Sequence, residues 1–361
     1  MEFLNALVFY LMLFVVGSLC LLYRDAPILS TGLLGHVRRF LVECSGRVVP
    51  PVLQNIIYNL FKYLLYRRNF VFQLIYVGGC ILAHSIWAID MIPILRHHYP
   101  NENHIFWPMC AVLCNYIFWH FAWIDDPGVL NSKNQPNYTR VYDCDEVLYE
   151  SGKVCSTCQI PKPARSKHCS ICNKCVHRFD HHCIWTNNCV GALNHRYFIL
   201  FMATLLVGLA HGMYVTSVTL LAYAKDVNLF SASFMNDEGQ LQQMTLSVAF
   251  QHLFMELPRV VFIASAVLVL IILVGIFFCH HLYLVITNQT TNERHKLQEL
   301  SYHHMLCDPK QNLRSRTNKT GSKCMPNNLS GYRPYSRGYF NNLLEVFLPH
   351  NFIIFRLKTK K

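Results

Sequence analysis

The sequence predicts an α-helical integral membrane protein with about five transmembrane helices and a cysteine-rich domain on the cytosolic side. Of its 361 residues, 53% are hydrophobic and only 14% are charged, whereas a soluble globular domain carries about 25% charged residues. The apolar residues fall in five long segments, and cysteines and histidines concentrate in one polar stretch between the third and fourth of them. Much of the chain is therefore expected to lie in lipid.

Each predicted span is long enough to cross a hydrocarbon core of about 30 Å, which takes roughly 20 helical residues. The first segment lacks a basic N-terminal region and a small-residue cleavage site, so it is interpreted as a span rather than a cleaved signal peptide. The five segments are approximately residues 6–23, 70–95, 105–124, 197–224 and 260–287.

The basic residues predict the orientation of these spans. Lysine and arginine are concentrated in the stretches 24–69, 125–196 and 288–361, whereas the loop 225–259 is mainly acidic. Basic loops remain cytosolic, so the cysteine-rich stretch and the C-terminus are predicted to be cytosolic and the N-terminus lumenal. The net charge of +12 thus reflects membrane topology, and nucleic acid is not an expected partner.

These patterns divide the chain into five consecutive regions. Within the first, apolar residues at helical spacing over 52–65 predict an amphipathic helix, which either lies at the membrane interface or packs on other cytosolic parts. The regions are an extra span with a cytosolic linker (1–69), two spans (70–124), the cysteine-rich domain (125–196), two further spans with a lumenal loop (197–287) and the cytosolic tail (288–361).

The cysteine-rich stretch predicts two structural zinc sites. Zinc takes four thiolate or imidazole ligands, and a C-x-x-C pair supplies two of them from one turn. Seven of the sixteen cysteines lie here among histidines, which favours reduced, metal-bound thiols over disulfides. Spacing leaves His177 or His181 open as substitutes for either histidine. The preferred grouping is Cys155, Cys158, His168 and Cys175 for one ion, and Cys169, Cys172, His182 and Cys189 for the other.

One thiol, Cys183, is left over after eight ligands have been assigned. It follows His181 by two residues and Asp180 by three. A cysteine beside a base and a carboxylate is the arrangement that nucleophilic catalysis requires.

The motifs of this stretch resemble the DHHC family of membrane-embedded protein S-acyltransferases (palmitoyltransferases). The matching pattern is Cys-x2-Cys-x9-His-Cys-x2-Cys-x2-Cys, followed by Asp-His-His-Cys at 180–183 and Asn-Asn-Cys-Val-Gly at 187–191. Asp-Pro-Gly at 126–128, Thr-Thr-Asn-Glu at 290–293 and an aromatic-Gly-Asn element that ends at Asn342 are similar to the family's outlying motifs and occur in the same order.

The resemblance implies both a reaction and the roles of the residues. Cys183 would accept the acyl group, His181 would be its general base, and Asp180 would orient that base, while His182 would point away and bind zinc. Palmitoyl-CoA, or another long-chain acyl-CoA, would acylate Cys183, and the acyl group would then pass to a cytosolic cysteine of a membrane-associated protein. The family core has four spans, so the first span here is an addition.

Other residues are expected to contact the substrate or to support the active-site loop. Trp185 is expected at the mouth of an acyl-chain cavity formed by the cytosolic halves of the last four spans, or else as an interfacial anchor. Arg165, Lys167 and Arg196 are candidates to attract CoA phosphates, although for each residue alone the topological role is the favoured explanation. Thr291 and Glu293 are expected to tether the active-site loop, or with Thr290 to cap a helix, and Asn342 to bond backbone carbonyls near a helix end.

Besides the extra first span, two residues depart from the family pattern: Ile184, and Leu348, which stands where the C-terminal element commonly ends in glycine. Ile184 stands where proline usually follows the catalytic cysteine. The lysine-rich end at 358–361 resembles retrieval signals of the endoplasmic reticulum without their exact spacing, so this organelle is favoured over the Golgi or the plasma membrane.

Two other functions compete with acyl transfer. A membrane-anchored zinc scaffold, or an adaptor of the ubiquitin-ligase kind, explains the eight ligands but gives no role to Cys183, Asp180 or Trp185. A transporter is suggested by the spans and by Asp90, because charges inside a membrane often mark transport paths.

Overall fold

The computed structural model describes residues 50–235, 239–306 and 331–359. The expected first span at 6–23 lies outside these ranges. The chain divides into two compact units, of which one contains Met1–Ala111 and Leu206–Leu273 and the other Val112–Leu205 and Val274–Lys361.

The described part of the first unit is mainly helical. The first helix in the described residues, α1 (Pro51–Tyr66), has proline at its first position, where the missing N–H costs nothing. None of its residues is buried, and the apolar side chains of Leu53, Ile56 and Phe61 are exposed. The helical segment Val71–His98 follows as α2 (Val71–Ile86), a π-helical turn (Trp87–Met91) and α3 (Ile92–His98).

Three described helices are long and apolar enough to cross a membrane. The candidates are Val71–His98, α6 (His195–Asp226) and α8 (Pro258–Ile286). The expected third span coincides with α4 (Phe106–Ile124), which is helical but is not among these candidates. Polar Asn115 lies on α4 and donates hydrogen bonds to the Phe201 carbonyl and to Thr204 Oγ1.

The remaining elements are short. A helix, α5 (Gln135–Thr139), precedes the cysteine-rich stretch. The loop after α6 contains a 3₁₀ turn (Leu229–Ser231) and a hairpin. Thr245 is the N-cap of α7 (Leu246–Glu256), and its side chain accepts a hydrogen bond from the Val248 N–H. The tail holds α9 (Thr291–Leu306), α10 (Tyr339–Phe347) and α11 (Pro349–Thr359).

Two small antiparallel hairpins form the cysteine-rich stretch. The first pairs β1 (Lys167–Cys169) with β2 (Lys174–Val176), and the second pairs β3 (His181–Cys183) with β4 (Asn188–Val190). In the loop hairpin, β5 (Ser233–Met235) pairs with β6 (Leu241–Gln243). Strands of three residues bury too little apolar surface to be stable alone, so other interactions must hold the two cysteine-rich hairpins.

The Asp-Pro-Gly segment joins the first hairpin through backbone hydrogen bonds. The Leu130 N–H donates to the Cys175 carbonyl, and the His177 N–H donates to the Gly128 carbonyl. Gly191 lies so close to this segment that a Cβ atom there would meet the Pro127 oxygen at 2.4 Å. Glycine is therefore required at position 191 for the chain to enter α6.

Candidate active site and metal centres

The first hairpin supplies ligands from both of its faces. Side chains alternate between the two faces of a strand, so His168 and Cys169 point in opposite directions. His168 is paired across the strands with Cys175, and these two residues lie with Cys155 and Cys158 in one cluster of possible metal ligands. Cys169 belongs to the other cluster.

The second hairpin contributes to that other cluster from one face only. His182 is paired with Cys189 across the strands, and both lie with Cys169 and Cys172. The two neighbours of His182 on β3, His181 and Cys183, must point to the opposite face. Cys183 belongs to neither cluster.

The donor atoms in both clusters fit a tetrahedral zinc ion. Bonds of about 2.3 Å to sulfur and 2.0–2.1 Å to nitrogen place sulfur and nitrogen about 3.6 Å apart at the tetrahedral angle. His168 Nδ1 lies 3.3 Å from Cys158 Sγ and 3.7 Å from Cys175 Sγ. His182 Nδ1 lies 3.8, 3.4 and 3.7 Å from the sulfurs of Cys169, Cys172 and Cys189. Each cluster could therefore hold one metal ion.

The opposite face of β3 holds a nucleophile, a base and a carboxylate. His181 Nδ1 lies 2.6 Å from Asp180 Oδ2, so the tautomer that donates to the carboxylate leaves Nε2 to accept a proton. Cys183 is 7% exposed and Asp180 is 1% exposed. The ring of His181 rests edge-on against Phe198, with the ring centres 5.0 Å apart.

The surroundings shift the pKa values of all three groups. Burial raises the pKa of the Cys183 thiol, but hydrogen bonding to His181 and to the Thr186 backbone outweighs it, and the net shift is downward. Burial lowers the pKa of His181, but the hydrogen bonds to Asp180 and Cys183 dominate and raise it to about 10. Burial likewise disfavours charge on Asp180, yet His181 holds its pKa well below the usual range. The groups therefore favour a thiolate beside an imidazolium.

Thr291 fixes the carboxylate of Asp180. Its backbone N–H donates to Oδ1 at 2.8 Å and its hydroxyl donates to Oδ2 at 3.0 Å. The neighbouring residues close the start of α9 as a reciprocal capping box: the Thr290 N–H donates to Glu293 Oε2 and the Glu293 N–H donates to Thr290 Oγ1. The Thr-Thr-Asn-Glu motif thus caps a helix and anchors the active-site loop together.

Arg165 does not lie where it could attract CoA phosphates. Its side chain is fully buried, and its guanidinium donates to both carboxylate oxygens of Glu293, at 2.7 and 3.0 Å, and to Glu345 at 3.1 Å. Arg178 donates to the same Glu345 oxygen at 3.0 Å, and Asn288 bridges the two arginines. The position gives the expected phosphate contact no support, because two acidic side chains already occupy the guanidinium.

The other expected contacts have varied surroundings. Lys167 is exposed, and Arg196 is half-buried over the Tyr197 ring at 4.6 Å. Trp185 is 43% exposed. Asn342 Nδ2 donates to the Ile286 carbonyl at 2.7 Å, so this residue bonds the last carbonyl of α8.

Several contacts at the site have no signal in the sequence pattern. Trp119 on α4 donates from Nε1 to the Trp185 carbonyl at 3.1 Å, and Asn188 donates to the Ala122 and Asp125 carbonyls at the end of the same helix. His281 is buried beside Asp180. Each is more than 60 residues from its partner, a separation at which spacing along the chain gives no indication of contact.

The sequence of this chain is similar to those of known proteins. Residues 148–298 match the family model described as DHHC palmitoyltransferase. The chain is 31% identical over 298 residues to a Bos taurus protein named palmitoyltransferase ZDHHC4, which covers 82% of this chain and 85% of the relative. The Mus musculus protein of that name is 33% identical with the same coverage. Palmitoyltransferase SWF1 of Neurospora crassa is 46% identical over 118 residues, which are 33% of this chain and 27% of the relative.

Proposed function

The chain belongs to the DHHC palmitoyltransferase family and is a protein S-palmitoyltransferase, and we propose that Cys183 carries the acyl group between the two half-reactions. One observation supports this assignment above others: Cys183 shares a strand with a possible zinc ligand, His182, but lies on the opposite face of that strand and belongs to neither ligand cluster. Its thiol is therefore available for chemistry next to His181.

In the first half-reaction, the sulfur of Cys183 attacks the thioester carbon of acyl-CoA. The bond to the CoA sulfur breaks, and the departing thiolate takes the proton that His181 had accepted from Cys183. In the second, His181 takes the proton from a cysteine of the substrate protein, and that sulfur attacks the acyl-enzyme. The Cys183 thiolate leaves and recovers its proton from His181. Asp180 orients the imidazole and balances its charge in both steps.

The two ligand clusters hold zinc in this proposal. Their donor distances fit that ion, and the hairpins bury too little apolar surface to be stable alone. The zinc ions supply rigidity, and the protein's own residues carry the chemistry. Rigid hairpins keep His181 and Cys183 on one face with their separation fixed.

The apolar helices are explained in this proposal by the need to keep a long acyl chain out of water. A chain of about 16 carbons loses on the order of 10 kcal/mol if it is held in water, at about 0.8 kcal/mol per methylene. We place the acyl chain among apolar helical segments, with Trp185 near their mouth and exposed Lys167 or half-buried Arg196 available to the phosphates of CoA. We also propose that the protein has five spans, that its active site is cytosolic, and that it resides in the endoplasmic reticulum.

The test is acyl loading of the purified full-length protein in detergent. Labelled palmitoyl-CoA should place a hydroxylamine-sensitive label on Cys183, identified by peptide mass spectrometry. Cys183→Ser should lose the label and transfer activity, by about 10⁴-fold or more, while retaining zinc. Cys144→Ser is the matched control, because Cys144 is a half-buried free thiol outside both clusters. Transfer that survives Cys183→Ser would refute the assignment and favour a zinc scaffold.

A further inference from the structure

His281 is a buried histidine on α8 that the proposed mechanism does not use. It is 2% exposed. Its ring packs edge-on against Phe277 and Phe198, with centres 4.5 and 5.0 Å apart, and it lies 5.5 Å from the ring of His181. The adjacent His280 is exposed, so the helix presents one histidine to the site and one away from it.

The inner ring nitrogen of His281 faces the Asp180 carboxylate without bonding to it. His281 Nδ1 is buried and has no hydrogen-bond partner, and it lies 4.0 Å from Asp180 Oδ2. That distance is too long for a hydrogen bond. Buried polar atoms are nearly always paired in folded proteins, so an unpaired nitrogen aimed at a carboxylate points to a function in another state of the site.

Asp180 has room for one more donor. Oδ1 accepts from the Thr291 N–H, and Oδ2 accepts from His181 Nδ1 and from the Thr291 hydroxyl. An ionised carboxylate offers about four acceptor positions, two on each oxygen, so the open position is on Oδ1. Among the described residues, His281 Nδ1 is a further donor beside this carboxylate, 4.0 Å from Oδ2, and a shift of its ring toward Oδ1 would fill that position.

We propose that His281 is a positioning residue for the Asp180–His181 pair, and that its Nδ1–H closes onto the carboxylate of Asp180 during the reaction. This inference rests on the proposed roles of Cys183, His181 and Asp180. Hydrogen bonds at a catalytic centre are often long in the free enzyme and shorten in the reacting complex. A neutral His281 supplies a donor to the carboxylate without adding positive charge beside the imidazolium of His181.

The second half-reaction has the greatest need of this contact. Once Cys183 is an acyl thioester, its sulfur no longer holds His181 through a thiolate–imidazolium pair. His181 is then positioned by Asp180, by the edge of Phe198 and by the ring of His281. Loss of His281 should therefore slow transfer from the acyl-enzyme more than it slows loading, and labelled acyl-enzyme should accumulate.

The test compares three replacements of His281 in the full-length protein. Asparagine places an amide nitrogen near the position of Nδ1, glutamine places one near Nε2, and leucine fills the space without a donor. We expect His281→Leu to lose about ten- to hundredfold in transfer rate, as for a hydrogen bond to a charged group. His281→Asn should recover most of that loss, and His281→Gln should not.

Equal rates for the asparagine, glutamine and leucine variants, whether normal or impaired, would overturn the proposal, since a packing role does not depend on where the donor lies. His280→Leu is the matched control and should behave as the unmodified protein. If His281→Leu does not fold, as judged by zinc content and thermal melting, the comparison of asparagine with glutamine decides alone.

Two measurements separate this inference from others. Transfer that persists in Cys183→Ser overturns the proposed function, whereas a normal His281→Leu beside an inactive Cys183→Ser overturns the positioning role alone. Asp180, His181 and His281 could also hold a metal ion. Zinc analysis covers this alternative: a third zinc ion per chain that disappears in His281→Leu would overturn the proposal in favour of a metal site.

Discussion

The two hairpins of the cysteine-rich stretch have the same turn but different chemistry. In the first, β1 ends at Cys169 and a left-handed asparagine, Asn173, follows four residues later, with φ of 53°. In the second, β3 ends at Cys183 and Asn187 occupies the same place, with φ of 47°. The two turns thus position their cysteines alike.

The difference lies one residue before each asparagine. The first turn has Cys172, which completes a C-x-x-C pair with Cys169 and joins its metal cluster. The second has Thr186 in that place. The first hairpin, which has the C-x-x-C pair, contributes possible metal ligands from both of its faces. The second hairpin lacks the pair, and its Cys183 thiol belongs to neither ligand cluster.

The largest contrast is expected between adjacent residues of β3. His181→Ala should reduce acyl transfer by about 10⁴-fold, as when a catalytic base loses its function, because it removes the base and leaves the metal-binding face unchanged. Zinc content and melting temperature should remain those of the unmodified protein. Radiolabel transfer and metal analysis on the same preparation check this, and loss of zinc together with activity would contradict the separation of the two faces.

His168→Ala in the first hairpin should instead reduce zinc content and stability. It removes one of four ligands from a structural site whose metal-binding free energy supports the fold, so the protein should lose one zinc ion and several kcal/mol of stability. Activity should fall in proportion to the folded fraction. Thermal melting and zinc stoichiometry, with Lys174→Ala on β2 as the surface control, provide the measurement.

Glu345→Gln tests the buried charges beside the hairpins. Glu345 accepts from Arg165 and Arg178 and is 2% exposed, and leaving buried charges unpaired costs about 3–5 kcal/mol. Burial raises the pKa of Glu345, but the two arginines outweigh it and lower the pKa below its ordinary 4.5.

The pH dependence of that variant follows from the direction of the shift. A carboxyl with a lowered folded pKa stabilises the protein above pH 4.5, and this stabilisation is lost as the pH falls through the folded pKa. The stability difference between the unmodified protein and Glu345→Gln should therefore shrink on acidification. Denaturant unfolding from pH 7 to pH 4 measures it, and a difference that stays constant would exclude this ionisation as the cause.

Thr186→Cys restores the ligand pair that the second hairpin lacks. Cys183 should then be captured by its new neighbour as a disulfide or as a metal chelate, and loading should fall by at least about tenfold, the order expected when most of the nucleophile is sequestered. Reductant should recover the part of the loss that is due to a disulfide. Thr186→Ser is the control, and an unaffected rate in Thr186→Cys would show that the turns are not equivalent.

Trp119→Phe should give the smallest effect. It removes the hydrogen bond from Nε1 to the Trp185 carbonyl in the turn of the second hairpin and keeps most of the ring, so about 1 kcal/mol, or roughly fivefold in loading rate, is expected. We expect this contact to help fix the turn that contains Ile184. Trp123→Phe, one turn along α4, is the control, and equal effects of the two changes would remove the role assigned to Trp119.

The local features of this protein follow from its amino-acid sequence alone. The apolar segments predicted as spans at about 70–95, 197–224 and 260–287 coincide with the helices Val71–His98, His195–Asp226 and Pro258–Ile286, because apolar length is a property of the chain alone. The spacing of cysteines and histidines likewise groups the eight donors that lie together in the structure, because each C-x-x-C turn and each strand places its ligands within a few residues.

What each side chain contacts depends instead on the tertiary packing of distant elements. This packing buried Arg165 against Glu293 and Glu345, which lie 128 and 180 residues further along the chain, where the pattern of basic residues had suggested an exposed phosphate contact. It also brought His281 to Asp180 and Trp119 to the turn after Cys183. Contacts of this kind depend on how distant helices pack, and no periodicity within one segment encodes them.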